Sequence, residues 1–290
     1  MEETLHKYTE EQLKGMQKVN LEMATVFFEF CKEKKLTAYF CGGGCIGSIR
    51  HKGFIPWDDD LDFFMPRKDY EIFVREWDNY APGKELALSV QTQDYVDHNL
   101  FATLRHKKTT YIKPYQKELD MVHGVQLDII PIDGYPDSKW KRKKQCLWAL
   151  IYSLFCAQLV PENHGGIMAF GSKVLLGIFR GKKIRYRIWS MAKKNMTKYK
   201  IEDCSGITEL CSGPGYMKNW YDKKWFASYI EVPFEDRMMP IPVGYDEYLR
   251  TVFGDYMQLP KKEAQVAHHD CIFLDLDTPY TEYKGIYYCK

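Results

Sequence analysis

Asp58, Asp59, Asp60 and Asp62 stand within five positions in FIPWDDDLDFFMP, residues 54–66, between a proline and a run of large apolar residues. Carboxylates this close repel one another unless positive charge relieves them. On an extended strand alternate side chains share a face, so Asp60 and Asp62 should project together, about 7 Å apart, while Leu61 and Phe63 enter the core. Asp128 repeats the arrangement in VQLDIIPID, one acid in a strand otherwise made of Val125, Leu127, Ile129 and Ile130. An acid embedded in a buried strand needs a partner. With the two strands side by side, three carboxylates converge on one or two hard divalent cations, Mg2+ or Mn2+, which favour oxygen ligands and leave positions open for phosphate oxygens. The chemistry expected is phosphoryl transfer, with Asp60, Asp62 and Asp128 as the catalytic and metal-holding residues and Asp128 or another acid of the cluster as general base. Asp58 and Asp59 precede the strand and read as solvated turn acids that support the site from outside.

The glycines upstream supply the complement. In FCGGGCIGSIR, Gly42, Gly43 and Gly44 carry no side chains to hold off a pyrophosphate, and the helix after them offers its N-terminal amides to an anion. Ser48 and Arg50 follow as a donor and a counter-charge, and Arg105 and Lys113 are further candidates to hold diphosphate. Glycines of this kind followed by Asp-x-Asp within twenty residues point to a nucleotidyltransferase fold.

The elements that must position these residues can be read from spacing. From Thr9 to about Lys35 apolar residues recur at helical intervals, and Thr9 with Gln12 forms a capping box. LTAYFC is a short buried strand, and PRKDYEIFVREWDNY a helix burying Tyr70, Phe73, Val74 and Trp77 on one face. LALSVQT, NLFATLRH, TTYIK and GVQLDIIPID read as consecutive short strands, and DEYLRTVF as a helix stopped by Gly254. Trp57 reads as a core anchor beneath the acidic turn. The expected fold is α/β, a nucleotidyltransferase-like small mixed sheet flanked by helices, with a helical insertion. Residues 1–138 would form the catalytic core, 139–200 the insertion, and 201–290 the part that completes core and site.

Forty-one basic residues nearly balance 39 acidic ones, so the net charge of +2 gives no reason to expect a nucleic-acid partner. The acidic, polar start MEETLHKYTEEQLKGM is unlike an export signal, and a cytoplasmic location is expected, with the inner face of the cell membrane within reach. Nine scattered cysteines without a C-x-x-C pair suggest reduced thiols, the alternative being structural zinc on Cys204, Cys211, His268 and His269. The apolar run 146–160 is too short to span a bilayer comfortably. Basic clusters at 139–144 and 180–187 flank apolar helices, which makes peripheral membrane contact a candidate beside simple packing of those helices on one another.

GGGCIGSIRHKGFIPWDDDLDFFMPRKDYEIF resembles the signature of the LicD family of phosphorylcholine transferases, and QLDIIPIDGYP and YLRTVFGDYMQLP resemble that family's second and third blocks. The resemblance implies transfer of phosphocholine from CDP-choline to a hydroxyl of a glycan or lipid-linked glycan, such as a teichoic acid precursor, capsule repeat or lipopolysaccharide sugar, with release of CMP. Carried over by position, Asp60 and Asp62 match the metal-binding pair, Asp128 the third acid, and Gly42 and Gly43 the phosphate-cradling turn. Gly44 and Cys45 depart from the hydroxyl residue and leucine common there. Alternatives are a same-fold transferase using CDP-ribitol or CDP-glycerol, or a non-catalytic glycan-binding protein. Choline would need aromatic faces, and NWYDKKWF, residues 219–226, offers four aromatics that read more readily as packing than as a cage.

Overall fold

The computed structural model describes residues 5–160, 166–267 and 269–290. Helix α1 (Glu10–Lys34) starts where the capping box requires: Gln12 N donates to the Thr9 hydroxyl and Thr9 N to the Gln12 side chain. The chain continues through β1 (Tyr39–Phe40), α2 (Gly42–Arg50), β2 (Asp62–Pro66), α3 (Arg67–Glu76), β3 (Leu86–Ser89), β4 (Ala102–His106), β5 (Thr110–Ile112) and β6 (Gln126–Tyr135). Helices α4 (Lys139–Ala157), α5 (Gly166–Ile178) and α6 (Lys182–Met196) follow, then β7 (Gly206–Thr208), β8 (Tyr221–Asp222), β9 (Tyr229–Phe234), β10 (Arg237–Pro242), α7 (Tyr245–Phe253) and β11 (Phe273–Asp275). The class is α/β with a mixed sheet.

The chain divides into two compact units, one of residues Met1–Ser89, Thr103–Ile129 and Lys224–Lys290, the other of Val90–Ala102 and Ile130–Lys223. In the first, the sheet order is β1-β2-β6-β4-β3. Tyr39 lies opposite Phe64, and Phe40 opposite Phe63. Strand β2 is covered on both sides, as its unbroken run Phe63-Phe64-Met65 demands. The Phe63 ring packs on Phe27 of α1 and on Phe40, at 4.8 and 4.7 Å between centroids. Phe64 packs toward Phe226 and Tyr248. Strands β9 and β10 form a hairpin, and β11 pairs with β5.

In the second unit, α4 and α6 pack through Ala149, Tyr152, Trp189, Ala192 and Met196. Gln145, buried among them, donates to the carbonyls of Gly134 and Met196. The C-terminal part of β6 pairs here with β7, Asp133 opposite Thr208. No helix among the described residues is long and apolar enough to cross a membrane. No disulfide joins any of the nine cysteines.

Candidate active site

The acidic turn is held by α1 and the sheet. Gln17 donates to the Asp58 carbonyl at 2.8 Å and Asn20 to the Asp59 carbonyl at 3.3 Å. Strand β2 begins at Asp62, so Asp60 and Leu61 lie just ahead of it and not, as expected from strand alternation, inside it. Leu61 and Phe63 are nonetheless buried, at 1% and 0% exposure, while Asp60 and Asp62 are half-buried. Asp128 N, in β6, donates to the Leu61 carbonyl at 3.5 Å, which sets the third acid beside the first two. Gln126 donates to Asp128 Oδ1 at 2.9 Å.

Mutual repulsion is visible in the proton affinities. Burial raises Asp60, with Asp59 and Asp128 adding to the effect and His269 opposing it. Burial pushes Asp62 well above the usual carboxylate range, with help from Asp60, Asp128 and Asp58. Asp58 goes up to about 8 for the same reasons, burial first, then Asp60 and Asp59. Lys113, buried, works the other way on Asp60 and Asp62. Asp60, Asp62 and Asp128 therefore act on one another, and burial leaves their charge unrelieved by water.

Asp58 and Asp59 are not solvated turn acids. Asp59 is 4% exposed and accepts from His269 twice, at 2.9 Å from Nδ1 and 3.3 Å from the backbone amide. His269 Nε2 stands 3.5 Å from Asp60 Oδ2. Burial disfavours a charged His269, but the Asp59 hydrogen bond and the Asp60 carboxylate outweigh it and lift the imidazole to about 9. The ligand atoms of Asp59, Asp60 and His269 all lie within 4.8 Å of one another, the one such group among the described residues. Asp62 and Asp128 are in electrostatic reach of Asp60 but outside that tight group. Hard oxygen donors, concentrated and mutually destabilised, fit a divalent cation, and Asp60 is common to both sets. His269, expected only as a structural zinc ligand, was not legible as a partner of the acidic turn because it lies 210 positions from Asp59. It arrives through the β11–β5 pairing, Ile272 N donating to the Ile112 carbonyl.

The glycines form the first turn of α2 itself, not a loop before it. Gly42 has φ +49°, and its amide donates to the Tyr248 hydroxyl on α7 at 3.1 Å. A Cβ at Gly43 would lie 2.0 Å from Asp58 Oδ2, so the missing side chain makes room for a carboxylate of the same chain. Gly44 packs on Phe40 and Leu61. Ser48 is buried and its hydroxyl donates to the Gly44 carbonyl at 2.8 Å. Arg50 donates to the carbonyls of Tyr256 and Gln258 at 2.6 and 3.3 Å, tying down the segment after α7.

Other candidates are placed differently from expectation. Arg105 is fully buried, bonded to Gln116, and belongs to the core rather than to a diphosphate. Trp57 is half-exposed and packs edge-on against His51, not beneath the turn in the core. The aromatics of 219–226 pack in separate cores: Tyr221 donates to Glu209 in the second unit, while Phe226 packs on Tyr39 and Tyr248 in the first. Of the zinc grouping, His269 is engaged by Asp59, and Cys204 and Cys211 join no metal-capable cluster among the described residues; His268 lies outside those residues.

Residues 35–151 match the model of the LicD/FKTN/FKRP nucleotidyltransferase domain. Over 282 aligned residues the chain is 29% identical to a protein of Haemophilus influenzae named lipopolysaccharide cholinephosphotransferase LicD, with 89% of this chain and 96% of that protein covered.

Proposed function

From the premise that residues 35–151 are a LicD-family nucleotidyltransferase domain in a transferase, we propose that the chain moves phosphocholine from CDP-choline to a hydroxyl of a cell-surface glycan precursor and releases CMP. A lipopolysaccharide sugar is the acceptor that the Haemophilus relative's name favours; a teichoic acid or capsule precursor has the same hydroxyl chemistry. The observation that carries the reading is the placement of three half-buried carboxylates side by side, Asp128 N donating to the carbonyl of Leu61, which stands between Asp60 and Asp62.

Asp60, Asp62 and Asp128 are the residues to hold Mg2+ or Mn2+, with His269 beside Asp60, and the cation supplies charge neutralisation for the phosphates and acidification of the attacking hydroxyl. The acceptor oxygen attacks the choline-bearing phosphorus in line, the bond to the CMP oxygen breaks, and Asp128, oriented by Gln126, takes the hydroxyl proton. Backbone amides of the first turn of α2 are the donors offered to the diphosphate. Lys113 offers positive charge on the same side as Asp60. Ser48 and Arg50 serve by fixing α2 and the segment after α7, since both side chains already bond backbone carbonyls.

CMP release from CDP-choline, CDP-ribitol, CDP-glycerol and CDP-ethanolamine tests the reading. Turnover of CDP-choline alone is the expected result. Preference for another CDP-alcohol would keep the acid cluster's role and discard the choline assignment, whereas no release with any donor and a supplied glycan acceptor would favour a binding protein.

A further inference from the structure

Helix α5 is built the wrong way round for a helix that faces water. Phe170, Val174, Leu175 and Ile178, at i, i+4, i+5 and i+8, share one side and are 70%, 42%, 41% and 66% exposed. Ser172 and Leu176 are the buried seam on the other side, at 8% and 7%. Leu176 joins the core of α4 and α6. The end of the helix is fastened as well: Arg185 of α6 donates to the carbonyls of Leu176 and Phe179 at 2.9 and 2.7 Å and to the Gln158 side chain at 2.7 Å. The subdomain is therefore assembled without the four apolar side chains, and the expectation that these helices pack all their apolar faces on one another does not cover them. A surface helix normally turns its polar side outward.

The surrounding charge selects what covers this face. Lys173 borders the apolar arc, and Arg180, Lys182 and Lys183 follow its C-terminal end. Residues 139–200 hold fifteen Lys and Arg against a single acid, Glu162. A second copy of the chain would bring cations against cations. A nucleic acid would use the cations but leave Phe170 and Ile178 without a role. An anionic bilayer takes both, since aliphatic and aromatic groups enter the acyl boundary while lysines and arginines remain at the headgroups. We propose that the outward face of α5, with the cations that border it, is an interfacial contact for an anionic lipid surface, on which the helix lies without crossing.

The test uses the full chain and vesicles of mixed phosphatidylglycerol and phosphatidylcholine, compared with phosphatidylcholine alone, in co-sedimentation. The wild type should bind the anionic vesicles and be released by high salt, and the double variant Phe170→Asp/Ile178→Asp should bind them at least about tenfold more weakly. Lys182→Gln/Lys183→Gln should weaken binding by about thirtyfold, about what two interfacial cations contribute. All four positions are exposed, so circular dichroism and thermal melting should match the wild type. A Phe170→Trp variant gives a second readout, taken as the difference from the wild type with its seven native tryptophans: that added emission should shift to the blue and be quenched by brominated lipid only with anionic vesicles. The proposal is overturned by wild-type chain that stays in the supernatant, by binding that survives Phe170→Asp/Ile178→Asp, or by emission from the Phe170→Trp variant that is indifferent to lipid. It is equally overturned if the double aspartate variant instead dissolves a wild-type dimer, which would make the face a contact between copies.

Discussion

Charge is arranged in opposite ways in two regions of this chain. Residues 139–200 carry a net +14 from fifteen basic residues and one acid, and the remaining residues, with 26 basic and 38 acidic, carry a net −12. In the helical region most of the cations are exposed, where each costs little. Around Asp60 the acids are gathered in a half-buried cluster, where burial and neighbouring carboxylates raise the proton affinities of Asp58, Asp60 and Asp62. Charge spread over a surface serves solubility or adhesion, whereas charge concentrated against desolvation is retained only where a ligand of opposite sign makes it worthwhile.

The largest expected effect tests whether concentration is what matters. Asp60→Asn keeps the shape and removes one charge, and CMP release should fall about a thousandfold, roughly 4 kcal/mol of transition-state stabilisation. Asp128→Asn should act similarly, with a flattened pH profile as well, because it removes the proposed base. A loss of only a few fold in both would make the cluster a structural feature.

Glu209 sharpens the contrast, being a buried acid in the second unit without companion carboxylates. Burial raises it to about 7 against an ordinary 4.5, with the hydrogen bond from Tyr221 pulling the other way. The folded chain therefore binds a proton that the unfolded chain has released between pH 4.5 and 7. Stability should fall as pH rises through that window, by about 3 kcal/mol in all, and the loss should be complete above it. Glu209→Gln should flatten this dependence in urea unfolding at about pH 5.5 and about pH 8.5, the first inside the window and the second above it. An unchanged slope would show that Glu209 is not the group responsible.

Much of this was legible beforehand. The Thr9–Gln12 capping box, the stop at Gly254 and the short strands all rest on local rules, and local rules suffice where neighbours along the chain decide. Gly42-Gly43-Gly44 was misread as a turn because glycine is a poor helix former. Close packing reversed the expectation: only residues without a Cβ let Asp58, Phe40 and Leu61 approach the first turn of α2. Arg105 was read as a candidate to hold diphosphate since nothing local announces an arginine buried in the core. His269 and the buried role of Asp59 depend on a pairing across 210 positions, which periodicity cannot reveal.

Two smaller effects complete the comparison. Gly42→Ala places a side chain at φ +49°, with nothing within 4 Å to clash, so the cost is that of the left-handed backbone alone, about 1 kcal/mol by chemical denaturation. A larger loss would mean that the amide bond to Tyr248 also fails. Lys194→Gln removes one exposed cation from the last turn of α6, and stability should change by less than about 0.5 kcal/mol. A shift several times that size would mean that the cations of the helical region act as a network rather than as separate solvated charges.

The most direct measurement is CMP release from CDP-choline by chain stripped with a chelator and then titrated with Mg2+ or Mn2+. No turnover before the metal, with saturable recovery as it is added, is the result predicted for an acid cluster that holds a divalent cation. Full turnover in the stripped chain, indifferent to added metal, would contradict it.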